Sequence, residues 1–210
     1  MDQQEFARRR KQLMRMMSDD AIAIISAAPE KIRSRDTHYP FRQDSDFHYL
    51  TGFPEPDAVA VLAPGRDPAE FILFVRDKDP ERETWDGRRE GPDGACEVYG
   101  ADDAFPIDDI DEILPGLMEN RERVFYTMGT HHDFDQRVIG WVQQLRKQLH
   151  SEQGAPHEFV SLDPFLHDMR LYKSRKEIAM MRKAAKIAVK AHERAMRAVT
   201  PGMMEWEIEA

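Results

Sequence analysis

The stretch from Tyr39 to Leu62, YPFRQDSDFHYLTGFPEPDAVAVL, constrains the fold of this chain more than any other. It opens on a proline-bounded turn and sets Arg42, Gln43, Asp44 and Asp46 directly against Phe41, Phe47 and Tyr49, a mixture that cannot bury one clean apolar face. Asp and Ser at turn positions bond their own backbone, so a loop would satisfy the first half. The second half is more demanding. Phe47 to Leu50 reads as a short strand, Thr51-Gly52 breaks it, Pro54-Glu55-Pro56-Asp57 makes a stiff turn, and Ala58 to Ala63 resumes as a buried strand. Asp44 and Asp46 would then share one side of an extended segment.

The remaining pattern alternates helix and strand. Phe6, Arg10, Leu13, Met14 and Met17 fall at helical spacing within Gln3 to Met17, and Ala21 to Ala27 is the nearly unbroken apolar run of a strand covered on both faces. Lys31 to His38 reads as a charged connector. Glu70 to Val75 is a strong strand, joined so tightly to Ala58–Leu62 that the two should pair antiparallel. From Asp77 to Gly100 glycines and charges predict a long loop, of the kind that is more often functional than accidental. Ile107, Ile110, Ile113, Leu114 and Leu117 share a helical face, Val124 to Met128 is a strand, Asp133 to Leu149 a second amphipathic helix, and Phe159 to Leu162 a last strand. The order predicts an α/β fold, a mixed sheet flanked by helices.

A second unit follows. Asp163-Pro164 starts a short helix, and Ser174-x-x-Glu177 is a capping box in which hydroxyl and carboxylate each satisfy a free amide of a helix start. The stripe Ile178, Met181, Ala184, Ala185, Ala188 to Val199 continues for a helix of about 26 residues, or ~39 Å. Thr200-Pro201-Gly202 ends it and Met203 to Ala210 begins another. Residues 1–168 are therefore expected to form one domain and 169–210 the linker and first helices of another, incomplete one. A long striped helix with nothing after it to cover the stripe suggests a piece of a longer polypeptide.

Charge and cysteine content exclude several classes. Thirty-nine acidic against thirty basic residues give a net charge of −9, which argues against a duplex nucleic acid or an anionic membrane as partner. One cysteine, Cys96, rules out an internal disulfide framework and suits a reducing compartment, as an idle or buried thiol. The basic block Arg8 to Lys11 is separated from the apolar run Ala21–Ala28 by Ser18-Asp19-Asp20, unlike a signal peptide. No apolar stretch approaches the ~20 residues of a membrane span, so a cytoplasmic protein is expected. His131-His132-Asp133 reads as an exposed turn with an Asp cap, since adjacent side chains diverge, and His38 and His48 as surface or core histidines. There is no phosphate loop, Cys-x-x-Cys or Gly-x-Ser-x-Gly, so no catalytic residue and no metal ligand is assigned within the chain.

Trp85, in the long loop, either folds back over its own core or projects onto a neighbouring surface. The run FRQDSDFHYLTGFPEPDAVAVL, together with Trp85-Asp86-Gly87-Arg88-Arg89 and Met169-Arg170-Leu171-Tyr172-Lys173-Ser174, closely resembles the N-terminal domain of aminopeptidase P, of the creatinase and prolidase group. The resemblance implies a creatinase-type N-terminal domain followed by the start of a pita-bread catalytic domain, and hydrolysis of the bond between an N-terminal residue and a following proline. It implies two manganese ions held by two Asp, one His and two Glu, all beyond Ala210, so that the 210 residues alone hold no metal and are inactive. It further implies a tetramer in which Trp85 helps close the peptide pocket of another subunit, with Arg88 and Arg89 at the interface. The alternatives are a non-catalytic module that binds peptides or proteins, and a prolidase- or creatinase-type hydrolase.

Overall fold

In the computed structural model, which describes residues 3–148 and 154–209, the chain begins with α1 (Gln3–Met16) and β1 (Ala21–Ser26). A small hairpin, β2 (Ile32–Ser34) and β3 (Thr37–His38), leads into α2 (Ser45–Thr51), β4 (Val59–Leu62) and β5 (Phe71–Val75). Then come α3 (Pro80–Asp86), α4 (Gly91–Glu97), β6 (Asp103–Pro106), a 3-10 turn running into α5 (Ile110–Met118), and β7 (Arg123–Phe125). The rest comprises α6 (His132–Gln148), β8 (Glu158–Val160), α7 (Asp163–Leu171), α8 (Arg175–Ala198) and α9 (Glu205–Glu209). Two compact units result, Met1–His167 and Asp168–Ala210.

The main sheet has the order β6-β5-β4-β1-β7-β8. β1, β7 and β8 are parallel, β4 is antiparallel to both its neighbours, and β6 is parallel to β5. Five strands therefore share one direction and β4 alone is reversed, the mixed α/β sheet that the element order predicted. The antiparallel pairing of β4 with β5, Val59 opposite Phe74 and Leu62 opposite Phe71, follows from their short connection. Alternation in β1 sends Ile22 and Ile24 into a core with Val61, Ile72, Leu114 and Trp141, while Ala21, Ala23 and Ile25 are buried on the other face. α1 packs against α2, bringing Phe6 and Leu13 into the buried set with Phe47 and Leu50.

Four local expectations need correction. Phe47 to Leu50 lies in α2 and not in a strand: the Asp44 carboxylate accepts from the amides of Asp46 and Phe47 at 2.9 and 2.8 Å, and Gly52 closes the helix in the left-handed conformation at φ 68°. Asp44 and Asp46 consequently sit at a helix start. The expected connector 31–38 contains the β2–β3 hairpin, and the expected loop 77–100 contains α3 and α4, the first capped by Asp79 with Pro80 in its first turn. The edge strand β6, Asp103–Pro106, had no apolar alternation to announce it. Leu149, the expected end of α6, lies outside the described residues. In the second unit the Ser174–Glu177 capping box is formed, and α8 has no buried residue, its Ile187, Val189 and Met196 side chains more than half exposed.

Candidate functional site

Because β4 alone is reversed, the C-terminal ends of β1, β5, β6, β7 and β8 and the N-terminal end of β4 lie along one edge of the sheet. Ligands of open α/β sheets collect outside such carboxyl ends, where backbone and loop groups converge. Three cavities follow this edge. One of about 130 Å³ is lined by Ser26, Asp44, Asp46, Thr127, Thr130 and Asp163. A second, about 650 Å³, shares Ser26, Thr130 and His131 with it and adds Asp57, Phe134 and Arg137. The third, about 760 Å³, shares Asp57 and Ile107 with the second and is walled by Arg76, Asp77, Asp86 and Arg89.

Polar side chains along the edge are largely engaged in holding the fold. Thr127 donates to Asp163 at 2.9 Å. The Tyr126 hydroxyl donates to Asp135 at 2.6 Å, and Asp135 also accepts from the Gly129 amide at 3.0 Å; burial first, then this carboxylate, push the phenol well above its ordinary value. Glu55, inside the stiff turn, accepts from the Glu90 amide at 2.7 Å and pairs with Arg76 at 3.5 Å, tying the start of α4 to the base of β4. Asp57 holds a left-handed φ of 52°, and burial raises its carboxyl above the usual range. The sequence marks Glu55 and Asp57 only as turn residues.

Among the described residues one group has metal-ligand character: Asp46, Asp163 and His167, whose potential ligand atoms lie within 4.8 Å of one another. His167 approaches Asp46 at 3.8 Å, with most of its imidazole exposed. Three donors without a Glu do not make the two-Asp, one-His, two-Glu set that the resemblance implies for a dinuclear centre. His131, His132 and Asp133 do not form such a group.

Trp85 sits in the last turn of α3 and is 87% exposed, so it is not folded over its own core. Gly87 ends the helix at φ 88°, and Arg88 beyond it is exposed. Arg89 is buried, donating to the Asp77 carbonyl at 3.4 Å and to the Asp86 carboxylate at 3.5 Å. The indole thus stands on a short helix whose Pro80, Arg82 and Asp86 line the third cavity together with Asp57, Arg76 and Arg89.

The family model for the aminopeptidase P N-terminal domain matches residues 6–126, more than half of the chain. The chain belongs to the aminopeptidase P family. Within it, the Xaa-Pro aminopeptidase of Escherichia coli is 42% identical over 207 residues, covering 98% of this chain and 47% of that protein. A solved aminopeptidase structure from Pseudomonas aeruginosa superposes with a TM-score of 0.95 at 54% identity, covering all of this chain and 47% of that one. The proline aminopeptidase P II of Yersinia pestis gives 0.93 at 40% identity, with 100% and 48% covered. The chain spans about half the length of these aminopeptidase P relatives, and the mixed α/β fold described above is the one they share.

Proposed function

We propose that this chain is the N-terminal part of a metal-dependent Xaa-Pro aminopeptidase, which removes an N-terminal residue preceding proline. Residues 1–168 are the N-terminal domain, and 169–210 are the linker and first helices of a pita-bread catalytic domain. The two metal ions, manganese on this reading, belong to that catalytic domain, and the 210 residues alone do not hydrolyse peptides. The likeness to Xaa-Pro aminopeptidases along the full chain, at about half their length, carries the reading. On this reading the enzyme works in the cytoplasm.

The N-terminal domain serves assembly and pocket shape. In a homo-tetramer Trp85 reaches the peptide pocket of another subunit and covers the proline-containing end of the substrate, with Arg88 and Arg89 at the interface. An indole that is 87% exposed gains by such cover, since a buried tryptophan stabilises a contact more than most other single side chains do.

Steady-state kinetics of the full-length polypeptide on Xaa-Pro tripeptides, Xaa-Pro dipeptides and creatine test the reading. Tripeptide hydrolysis is expected, with kcat/KM of Trp85→Ala reduced by about tenfold or more at unchanged stability. Wild-type kinetics in that variant would remove the role of Trp85. Cleavage of dipeptides or creatine alone would move the chain to a prolidase or creatinase, and no hydrolysis at all to a non-catalytic binding module.

A further inference from the structure

Helix α3 carries Trp85 but has little of its own to hold it in place. None of its seven residues is buried, and an isolated helix so short is marginal in water. Its caps shape it without anchoring it: the Asp79 carboxylate accepts from the amides of Glu81 and Arg82 at 3.2 and 3.1 Å, and the Glu83 carboxylate accepts from the Asp79 amide at 3.2 Å. The seat of α3 on the domain is therefore set at the two ends of the segment that contains it, residues 77–89.

Both ends converge on Glu55. One oxygen of this buried carboxylate accepts at 2.7 Å from the amide of Glu90, just after the segment, and the other pairs at 3.5 Å with Arg76, just before it. The ends also meet each other. Arg89 donates to the Asp77 carbonyl at 3.4 Å, and a Cβ built on Gly91 would come within 3.0 Å of Lys78 Cγ. Glu55 has little freedom to drift, because Pro54 and Pro56 flank it and the Gln43 amide donates to the carbonyls of Phe53 and Glu55 at 3.3 and 2.7 Å. Gln43 in turn accepts from the amides of Ala28 and Asp44 at 2.9 and 2.8 Å, so the chain of contacts runs from the end of β1 to the segment that bears the indole.

We infer that Glu55 is a positioning residue for the peptidase reaction: its carboxylate fixes the seat of residues 77–89, and through them the place of Trp85, without touching the substrate. The inference rests on the proposed role of Trp85 as cover for the proline-containing end of the peptide. A carboxylate suits the task because its two oxygens can accept from an amide and face a guanidinium at once. Glu55→Gln keeps one oxygen for the Glu90 amide but sets an NH2 group against Arg76, which frees one end of the segment and leaves the turn itself in place.

The test is steady-state kinetics of the full-length polypeptide on an Xaa-Pro tripeptide, for the wild type, Glu55→Gln, Trp85→Ala and the double variant. Glu55→Gln is expected to lower kcat/KM by about fivefold or more, and the double variant to be no worse than Trp85→Ala, since a misplaced indole and a missing one are the same loss. General damage to the fold would instead multiply the two losses. Hydrogen exchange at residues 80–90 should speed in Glu55→Gln while the strands of the main sheet keep their protection. Arg76→Gln cuts the same pair from its other side and should reproduce both results, which keeps the test open if Glu55→Gln folds poorly. Multiplied losses, wild-type kcat/KM in Glu55→Gln beside an impaired Trp85→Ala, or unchanged exchange at 80–90 would overturn the role of Glu55. Wild-type kinetics in Trp85→Ala, or no hydrolysis by the wild type, would remove the reading beneath it and this inference with it.

Discussion

The guanidinium of Arg9 lies over the ring of Tyr49, 4.0 Å from its centroid, and donates from Nη1 to the Tyr49 carbonyl at 3.1 Å. The same side chain pairs with Glu5 at 2.8 Å, both being buried, so a charged fork joins α1 to α2 where an apolar contact would be the ordinary solution. Removing one member leaves the other charge dry. Arg9→Met is expected to lower stability by about 3 kcal/mol, and Glu5→Leu added to it should recover most of the loss, because a well-packed apolar pair can replace a buried ion pair. Urea unfolding of the single and double variants measures both, and equal stability of the two would contradict this.

Gly52 ends α2 with φ at 68°, and a Cβ built there would run into the Phe6 ring. Gly52→Ala combines a left-handed alanine with overpacking, for a loss of about 2–4 kcal/mol. Phe6→Leu in the same chain should relieve the packing part and leave the backbone part, which thermal melts of the pair would separate.

Gln43 makes four hydrogen bonds to backbone groups of three segments. Gln43→Ala leaves those partly buried groups without it and is expected to lose about 2–3 kcal/mol. Gln43→Glu keeps the acceptor for Ala28 and Asp44 but not the donor for Phe53 and Glu55, so hydrogen exchange should speed at the turn more than at Ala28 and Asp44.

Asp57 gives a pH dependence whose sign can be worked out. Burial, opposed by Arg76 and reinforced by Glu30, raises its folded pKa above the unfolded value, so its stabilising contribution is complete below the unfolded carboxylate range and is lost as pH rises through the folded value. At neutral pH the ionised group is a cost. Asp57→Asn removes the charge and tolerates the left-handed φ, so its melting temperature should exceed the wild type's at pH 7, with the difference closing below about pH 3.5. A difference that widened in acid would refute this.

Much of the sheet was legible because its strands announce themselves: Ala21–Ser26, Val59–Leu62 and Phe71–Val75 are apolar on both faces and buried on both. Helix α2 was misread because Phe47, Tyr49 and Leu50 favour a strand when taken as composition, although Asp44 before them and Gly52 after them are helix-terminus signals. Helices α3 and α4 bury little and show no stripe, so only Asp79-Pro80 marked the first of them. Trp85 stood out as a large aromatic among charges, but whether it faced inward or outward depended on a short helix, α3, that buries none of its residues and so shows no apolar stripe. Gln43 was visible as a residue and invisible as a clamp, since its four partners lie between 1 and 15 positions away.

The reversal of β4 has an evolutionary corollary. Since Ser26 and Val59 meet the same rim of the sheet, the β2–β3 hairpin leaves from that rim, and α2, packed against α1, brings the chain back to it. Lengthening such an excursion alters only a slowly growing closure entropy, about 0.6 kcal/mol per doubling. The exposed residues 29–42 of that interval are where this scaffold can change in length while every strand of the main sheet keeps its neighbours.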